Sequence, residues 1–167
     1  MLEEVANNGF RWIDIAKPDQ DYLEQLVPQF PFHELNIADC LSKIQIPKID
    51  RYEDHVFVIL HFPIVERERI PKSSQLAAFM GSDYLVTVHQ DDLKPIVDIF
   101  QKFIQDEKAR MELMGESAGY IFHSIVDALT DDLLNLVRKI VDNIDDIEDM
   151  VFVEKIDAAK EIVPAPR

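Results

Sequence analysis

Between positions 127 and 149 the sequence reads "DALTDDLLNLVRKIVDNIDDIED", and the carboxylates of this stretch are the side chains whose type and spacing could do chemistry. Like charge crowded along one element stays in water, pairs with basic residues, or takes up a cation. Oxygen donors without thiolates suit hard cations such as Mg2+ and Ca2+, and Mg2+ asks for only one or two carboxylates because it keeps several of its waters. An EF-hand is excluded, since "DNIDDIEDMVFVE" has no central glycine and reads as helix throughout.

The helical period separates charge from oil in this stretch. Val126, Leu129, Leu133, Val137, Ile140, Ile144, Ile147 and Val151 step by three and four into one apolar stripe, which predicts a packing partner along its length. At 100° per residue, Asp127, Asp131, Asp142, Asp145 and Asp149 fall on the opposite side. In water each like-charged i,i+4 pair costs only ~0.2–0.5 kcal/mol, so spacing alone favours a solvated face. Covered by a second subunit, two carboxylates ~6 Å apart repel by nearly 3 kcal/mol at an effective dielectric of ~20, and a divalent ion becomes the natural remedy.

A second set of candidates is histidine. His55 and His61 are six residues apart and share a sheet face if their strand is regular, and His89 could lie on a neighbouring strand, giving a conceivable zinc or acid–base cluster. Separate strand histidines are the reading this spacing favours over a cluster. No H-E-x-x-H, G-x-S-x-G, Walker A or G-x-G-x-x-G occurs, so an enzyme has no anchor in this sequence.

Thirty-two acidic against seventeen basic side chains leave a formal charge of -15, which repels nucleic acid and anionic membrane surfaces and makes cations the natural small partners. The single Cys40 excludes an internal disulfide and a cysteine-rich zinc site. The most apolar run, "VFVILHFPIV", is far shorter than a membrane helix requires, and "MLEEVANNG" is acidic where a signal peptide would be basic, so the segment is expected to be soluble.

The elements that must position these groups follow from periodicity. "FRWIDI" predicts a strand over 10–15, and Pro18 or Asp19 opens a helix carrying Tyr22, Leu23, Leu26 and Val27 that Pro28 stops. A second short helix is predicted over about 33–41, with Leu35, Ile37, Ala38 and Leu41 as its apolar residues. "IQIPKIDRYEDHVFVILHFPIVERE" reads as two strands about a Glu53-Asp54 turn. After an exposed "ERERIPKSS", "QLAAFMGSDYLVTVHQ" reads as a hairpin turning at Gly81, Ser82 and Asp83. One helix is then predicted from Asp91 to about Leu113, with Leu93, Ile96, Val97, Phe100, Phe103 and Ile104 on one face, two aspartates favouring its start and Gly115 and Gly119 breaking it. The acidic helix follows over about 117–152, and Pro164 and Pro166 make the tail non-helical. The expected fold class is α/β: a three-layer α/β/α sandwich with a mixed sheet, followed by long acidic helices.

"WIDI", "LNIADCL", "IPKIDRYEDHVFVILHF", "GSDYLVTVH" and "YIFHSIVDALTDDLLNLVRKIVDNIDDIEDMVF", in this order over residues 10–152, resemble the cytoplasmic domain of CorA-type magnesium transporters. The resemblance implies a metal-sensing, gating domain of a homopentamer, with divalent ions bound between subunits holding the pore closed. It implies Mg2+ as regulatory ligand and transported ion, with Co2+ or Ni2+ as further cargo, and a place on the cytoplasmic face of the cell membrane. It transfers metal-binding aspartates to Asp39 in "IADCL" and to Asp127 in "SIVDALTDD", with Asp131 a further candidate. Where the family carries a glutamate before the first aspartate this sequence has Ala38, which puts a site relying on that glutamate in doubt.

The resulting expectation is one regulatory domain over 1–152, its strand–helix–sheet part over about 1–114 and its acidic helix over about 117–152, with a tail at 153–167. The stalk helix, the Gly-Met-Asn signature and the membrane spans do not occur up to Arg167, so these residues alone are not expected to conduct ions, and the membrane would be reached only through a C-terminal part. A related zinc transporter, a stand-alone cation-binding or interaction protein and, more remotely, a metal-dependent hydrolase are the other readings.

Overall fold

Asn8 and Gly9 both take positive φ, 49° and 85°, and reverse the chain between β1 (Leu2–Asn7) and β2 (Phe10–Ala16). Asn-Gly suits a two-residue turn of this hand because both central residues need φ above zero. The computed structural model describes residues 1–26, 28–42, 45–65, 71–114 and 117–161, with residues 71 and 153–161 described for backbone only. The expectations placed on Val27, on the first part of "ERERIPKSS", on Gly115 and on the tail prolines lie outside these residues.

Four more strands complete a mixed sheet: β3 (Lys48–Arg51), β4 (His55–Val65), β5 (Pro71–Gly81) and β6 (Tyr84–His89), in the order β1-β2-β6-β5-β4-β3. The β2–β6 pair is parallel and the other pairs are antiparallel. The predicted turn between β5 and β6 falls on Ser82 and Asp83. Gly81 ends β5 beneath the Tyr84 ring, and a Cβ there would collide with Tyr84 Cε1.

Helices cover both faces, as the expected sandwich requires. On one, α1 (Gln20–Leu26) and α2 (Glu34–Leu41) bury Leu23, Leu26 and Cys40 against Ile13, Ile15, Phe57, Phe79 and Val86. On the other, α3 (Lys94–Gln105), α4 (Glu107–Leu113) and the start of α5 (Ala118–Glu161) pack on Trp12, Leu76 and Leu85. Trp12 meets Phe100 and Phe103 edge-on, at ring separations of 4.9 and 5.3 Å, in the arrangement aromatic quadrupoles prefer. Asp19 opens α1 as expected, its carboxylate accepting the Tyr22 N–H at 2.9 Å.

The single helix expected from Asp91 to Leu113 is two. Asp106 leaves the helical region, at φ -113° and ψ 101°, and accepts the N–H groups of Lys108 and Ala109 to start α4. Neither Asp91 nor Asp92 caps α3: Asp91 pairs with Lys17, and Asp92 accepts from the Ser74 hydroxyl. Gly119 lies inside α5, which Ser117 caps by accepting the Tyr120 N–H. In α2 the buried residues are Asn36 and Cys40, while Leu35 and Ala38 are exposed.

The chain divides into a unit over Met1–Thr130 and a second over Asp131–Arg167. In the first, Ile121, Ile125 and Leu129 of α5 are in the core. In the second, the described residues continue the helix past the expected end near Phe152 to Glu161. The apolar stripe is buried only in the first unit, because Val137, Ile140, Ile144, Ile147 and Val151 are all exposed, Ile144 by 56%. Among the described residues no helix is long and apolar enough to cross a membrane.

Candidate functional site

Asp39 reaches its position through α2. His33 precedes the helix and accepts the Leu35 N–H on Nδ1, and the burial of Asn36 and Cys40 fixes the rotation of the helix about its axis. Asp39 therefore faces the start of β3 with its side chain 18% exposed. There its Oδ2 lies 2.6 Å from the Lys48 ammonium, which also holds Asp50 at 2.8 Å. Lys48 sits 5.3 Å from the centre of the Phe57 ring, and Asn36, whose amide donates to the Tyr52 hydroxyl, presents its carbonyl oxygen at 3.5 Å. Hydrogen bonds that the ammonium donates, to Asp39 first and then to Asp50, push the lysine pKa up, so the ammonium is a fixed positive charge between two carboxylates.

The neighbours of Asp39 offer carboxylate and amide oxygens. Cys40, the neighbouring thiol, is buried away from it and held protonated, because desolvation pushes its pKa far above the ordinary thiol range. Such a donor set suits a hard cation better than a soft one, and a cation arriving at Asp39 meets Lys48 already in place.

Asp127 lies on the part of α5 that packs against the opposite face of the sheet from α2, and it is exposed. Asp131 belongs to the second unit and is exposed as well, as are Asp142, Asp145 and Asp149. The sheet separates Asp39 from Asp127 within one chain. Among the described residues no three His, Cys, Asp or Glu side chains converge as a metal cage.

The histidines do not form a cluster. His55 and His61 share β4 and one face, but β5 lies between β4 and β6, and His89 points to the other face. His55 is buried, stacked on Tyr52 at 4.6 Å with Nδ1 bonded to Asp54, and His61 Nδ1 meets the Ser73 hydroxyl at 3.1 Å.

His89 instead belongs to a buried polar chain that the sequence reading missed. Trp12 Nε1 donates to the Thr87 hydroxyl at 3.0 Å, Thr87 donates to Asp14 Oδ1, and His89 Nε2 lies 3.2 Å from Asp14 Oδ2. The Asp91 N–H donates to His89 Nδ1 at 3.0 Å, so Nδ1 carries a lone pair and the proton sits on Nε2. Both ring nitrogens are occupied, which leaves His89 no free lone pair for acid–base work. The available signal was Asp14 itself, a carboxylate two residues from Trp12, where alternation puts both on the same face.

An acidic α/β/α domain with a sheltered carboxylate on α2 and exposed carboxylates on a long helix is the class these features define. The chain belongs to the family described as CorA-like Mg2+ transporter protein, whose family model matches residues 7–165. It is 28% identical over 146 residues to a Bacillus subtilis protein named as metal ion transporter YfjQ, covering 87% of this chain and 44% of that protein. Identity to the cobalt/magnesium transport protein CorA of Thermotoga maritima is 26% over 142 residues, covering 84% and 40%. The chain thus spans less than half the length of these two relatives. The soluble domain of CorA from Methanocaldococcus jannaschii has the same fold, with a TM-score of 0.73 at 21% identity over 86% of this chain and 56% of that one.

Proposed function

We propose that this chain is the cytoplasmic, metal-sensing part of a divalent cation transporter that carries Mg2+, with Co2+ or Ni2+ as further cargo, and that assembles as a homopentamer through a longer protein. The supporting observation is the sheltered Asp39 carboxylate, set among oxygen donors and already balanced by an ammonium. A hydrated divalent ion displaces Lys48 and takes its second carboxylate from a neighbouring subunit, because Asp39 and Asp127 cannot meet around one sheet. Asp127 and Asp131 then act as outer-sphere or bridging carboxylates on an exposed helix. Binding between subunits favours the closed assembly in proportion to its differential affinity for that state, and loss of the ion releases carboxylates that repel one another.

Membership of a transporter family and the absence of a histidine cluster among the described residues both weigh against the hydrolase reading. The test is thermal melting with MgCl2 against KCl of matched ionic strength, on the longer protein that contains these residues. Ligand that binds only the folded assembly raises the melting temperature. Asp39→Asn and Asp127→Asn are expected to shrink that rise, and rises equal to wild type in both variants would sink the site assignment.

A further inference from the structure

Asn36 is a polar side chain inside the fold, 1% exposed, on α2 one turn before Asp39 and on the same side of the helix. A buried amide is stable when both of its ends find partners. The Nδ2 end does, donating to the Tyr52 hydroxyl at 2.9 Å. The Oδ1 end faces the Asp39–Lys48 pair, where the ammonium stands 3.5 Å away, beyond the roughly 2.7–3.2 Å of an ordinary N–H···O bond. That nitrogen lies closer to Asp39 and to Asp50, at 2.6 and 2.8 Å, so the buried carbonyl is left under-satisfied.

The amide is not free to turn. Lysine donates and never accepts, which puts the oxygen toward Lys48 and the nitrogen toward Tyr52. Tyr52 is fixed in its turn: the ring stacks on the buried His55 ring at 4.6 Å and 11°, and the backbone N–H donates to the His55 carbonyl at 2.9 Å. Asn36 therefore aims one acceptor at the place the ammonium fills. It does so from farther than the roughly 2.0–2.6 Å at which Mg2+ or Ca2+ takes an oxygen directly. Such an acceptor suits a hydrogen carried by water on an ion, which an ion that keeps its waters supplies. Groups placed behind the direct ligands in this way orient and tune what a metal site holds.

We infer that Asn36 is a specificity-determining residue of the Asp39 site, accepting a hydrogen bond from a water of the bound ion, and that Tyr52 is the positioning residue that holds its amide. The site then favours Mg2+, which gives up its waters reluctantly, over Ca2+, which takes about six to eight oxygen ligands in flexible geometry. This rests on the reading of Asp39 as a divalent site and says how that site selects its ion.

The test is melting of the longer protein over MgCl2 and CaCl2 series at constant ionic strength, reading the concentration of each ion that gives half the rise. Asn36→Leu is expected to raise the Mg2+ midpoint about tenfold or more and the Ca2+ midpoint less than about twofold. Tyr52→Phe keeps the ring stack and removes the hydroxyl. It is expected to move the ratio of the two midpoints in the same direction, and it carries the test where Asn36→Leu does not fold. Loss of packing alone weakens both ions together and leaves the ratio where it was. An unchanged ratio in Asn36→Leu, or in Tyr52→Phe where the first variant does not fold, overturns the inference while Asp39→Asn still weakens both ions. Midpoints that Asp39→Asn leaves unmoved instead sink the divalent site itself, and the inference with it.

Discussion

Replacing Lys48 with methionine tests whether the ammonium beside Asp39 is a resident stand-in for a metal ion. Asp39 and Asp50 each lie within hydrogen-bonding distance of the same nitrogen, so the two carboxylates are no more than about 6 Å apart. Without the ammonium, and with an effective dielectric between ~20 and ~40 at this half-exposed position, they repel by roughly 1.5–3 kcal/mol. Methionine keeps an apolar stem over Phe57, so little packing is lost with the charge. A domain of this size melts about 2–4 °C lower per kcal/mol lost, which gives an expected fall of about 3–12 °C in low salt with EDTA. Millimolar MgCl2 should restore most of that fall, while potassium at equal ionic strength should restore only the screened fraction. Scanning fluorimetry over a matched salt series reads both effects. A Lys48→Met chain that melts with wild type in EDTA and ignores Mg2+ would show that the two carboxylates neither strain the fold nor hold a cation, and would refute the reasoning.

Gly81→Ala and Gly9→Ala separate contact from backbone strain. The first drives a Cβ into the Tyr84 ring, which Phe30 backs at 4.4 Å, and is expected to cost about 2–3 kcal/mol in urea unfolding. The second meets open space and costs about 1 kcal/mol through its positive φ alone, so the reverse ranking would contradict the packing described. Glu4 supplies a pH dependence: hydrogen bonds from Arg11 hold its carboxyl below the usual range. A folded pKa below the unfolded one, about 4.3, gives stability present above that value and lost as pH falls through the folded pKa. Solvent screening limits this to about 0.5 kcal/mol, and Glu4→Gln should flatten the urea midpoint between about pH 5 and pH 3. Parallel curves for variant and wild type across that interval would remove Glu4 from the acid response.

The layered fold was legible because the period changes along the chain, from alternation in "FRWIDI" and "YLVTVH" to the three-and-four step after Ala118. What escaped was local. β1 was not predicted although Asn8-Gly9 announced its turn, because the successive Glu3 and Glu4 put a carboxylate on each face of "LEEVAN" and only Val5 in it is buried. The break at Asp106 was hidden because α3 and α4 share one apolar face across it. The stripe on α5 was readable as a pattern, but periodicity does not say how far along a helix its partner extends. Asp39 was found through family resemblance. Its ion pair with Lys48, nine positions on and in the next strand, has no sequence period to reveal it.

Among the described residues, the ladder between β2 and β6 is where the first strands meet the last. β1 and β2 form a hairpin alone, and β3 to β6 form a meander whose neighbours are close in sequence. Joining the two blocks, Arg11 to Tyr84 and onward to Ala16 with His89, closes roughly 70 residues of chain, an entropic toll that falls on this seam alone. An isolated two-stranded hairpin is marginal in water, so the N-terminal block is expected to hold only once β6 is made. Completion of the sheet is then expected as a late, nonlocal step that brings Asp14 to Thr87 and His89 and creates a cleft between the two strand ends. Burial of the Trp12 indole, which joins both, is the readout of that step's rate.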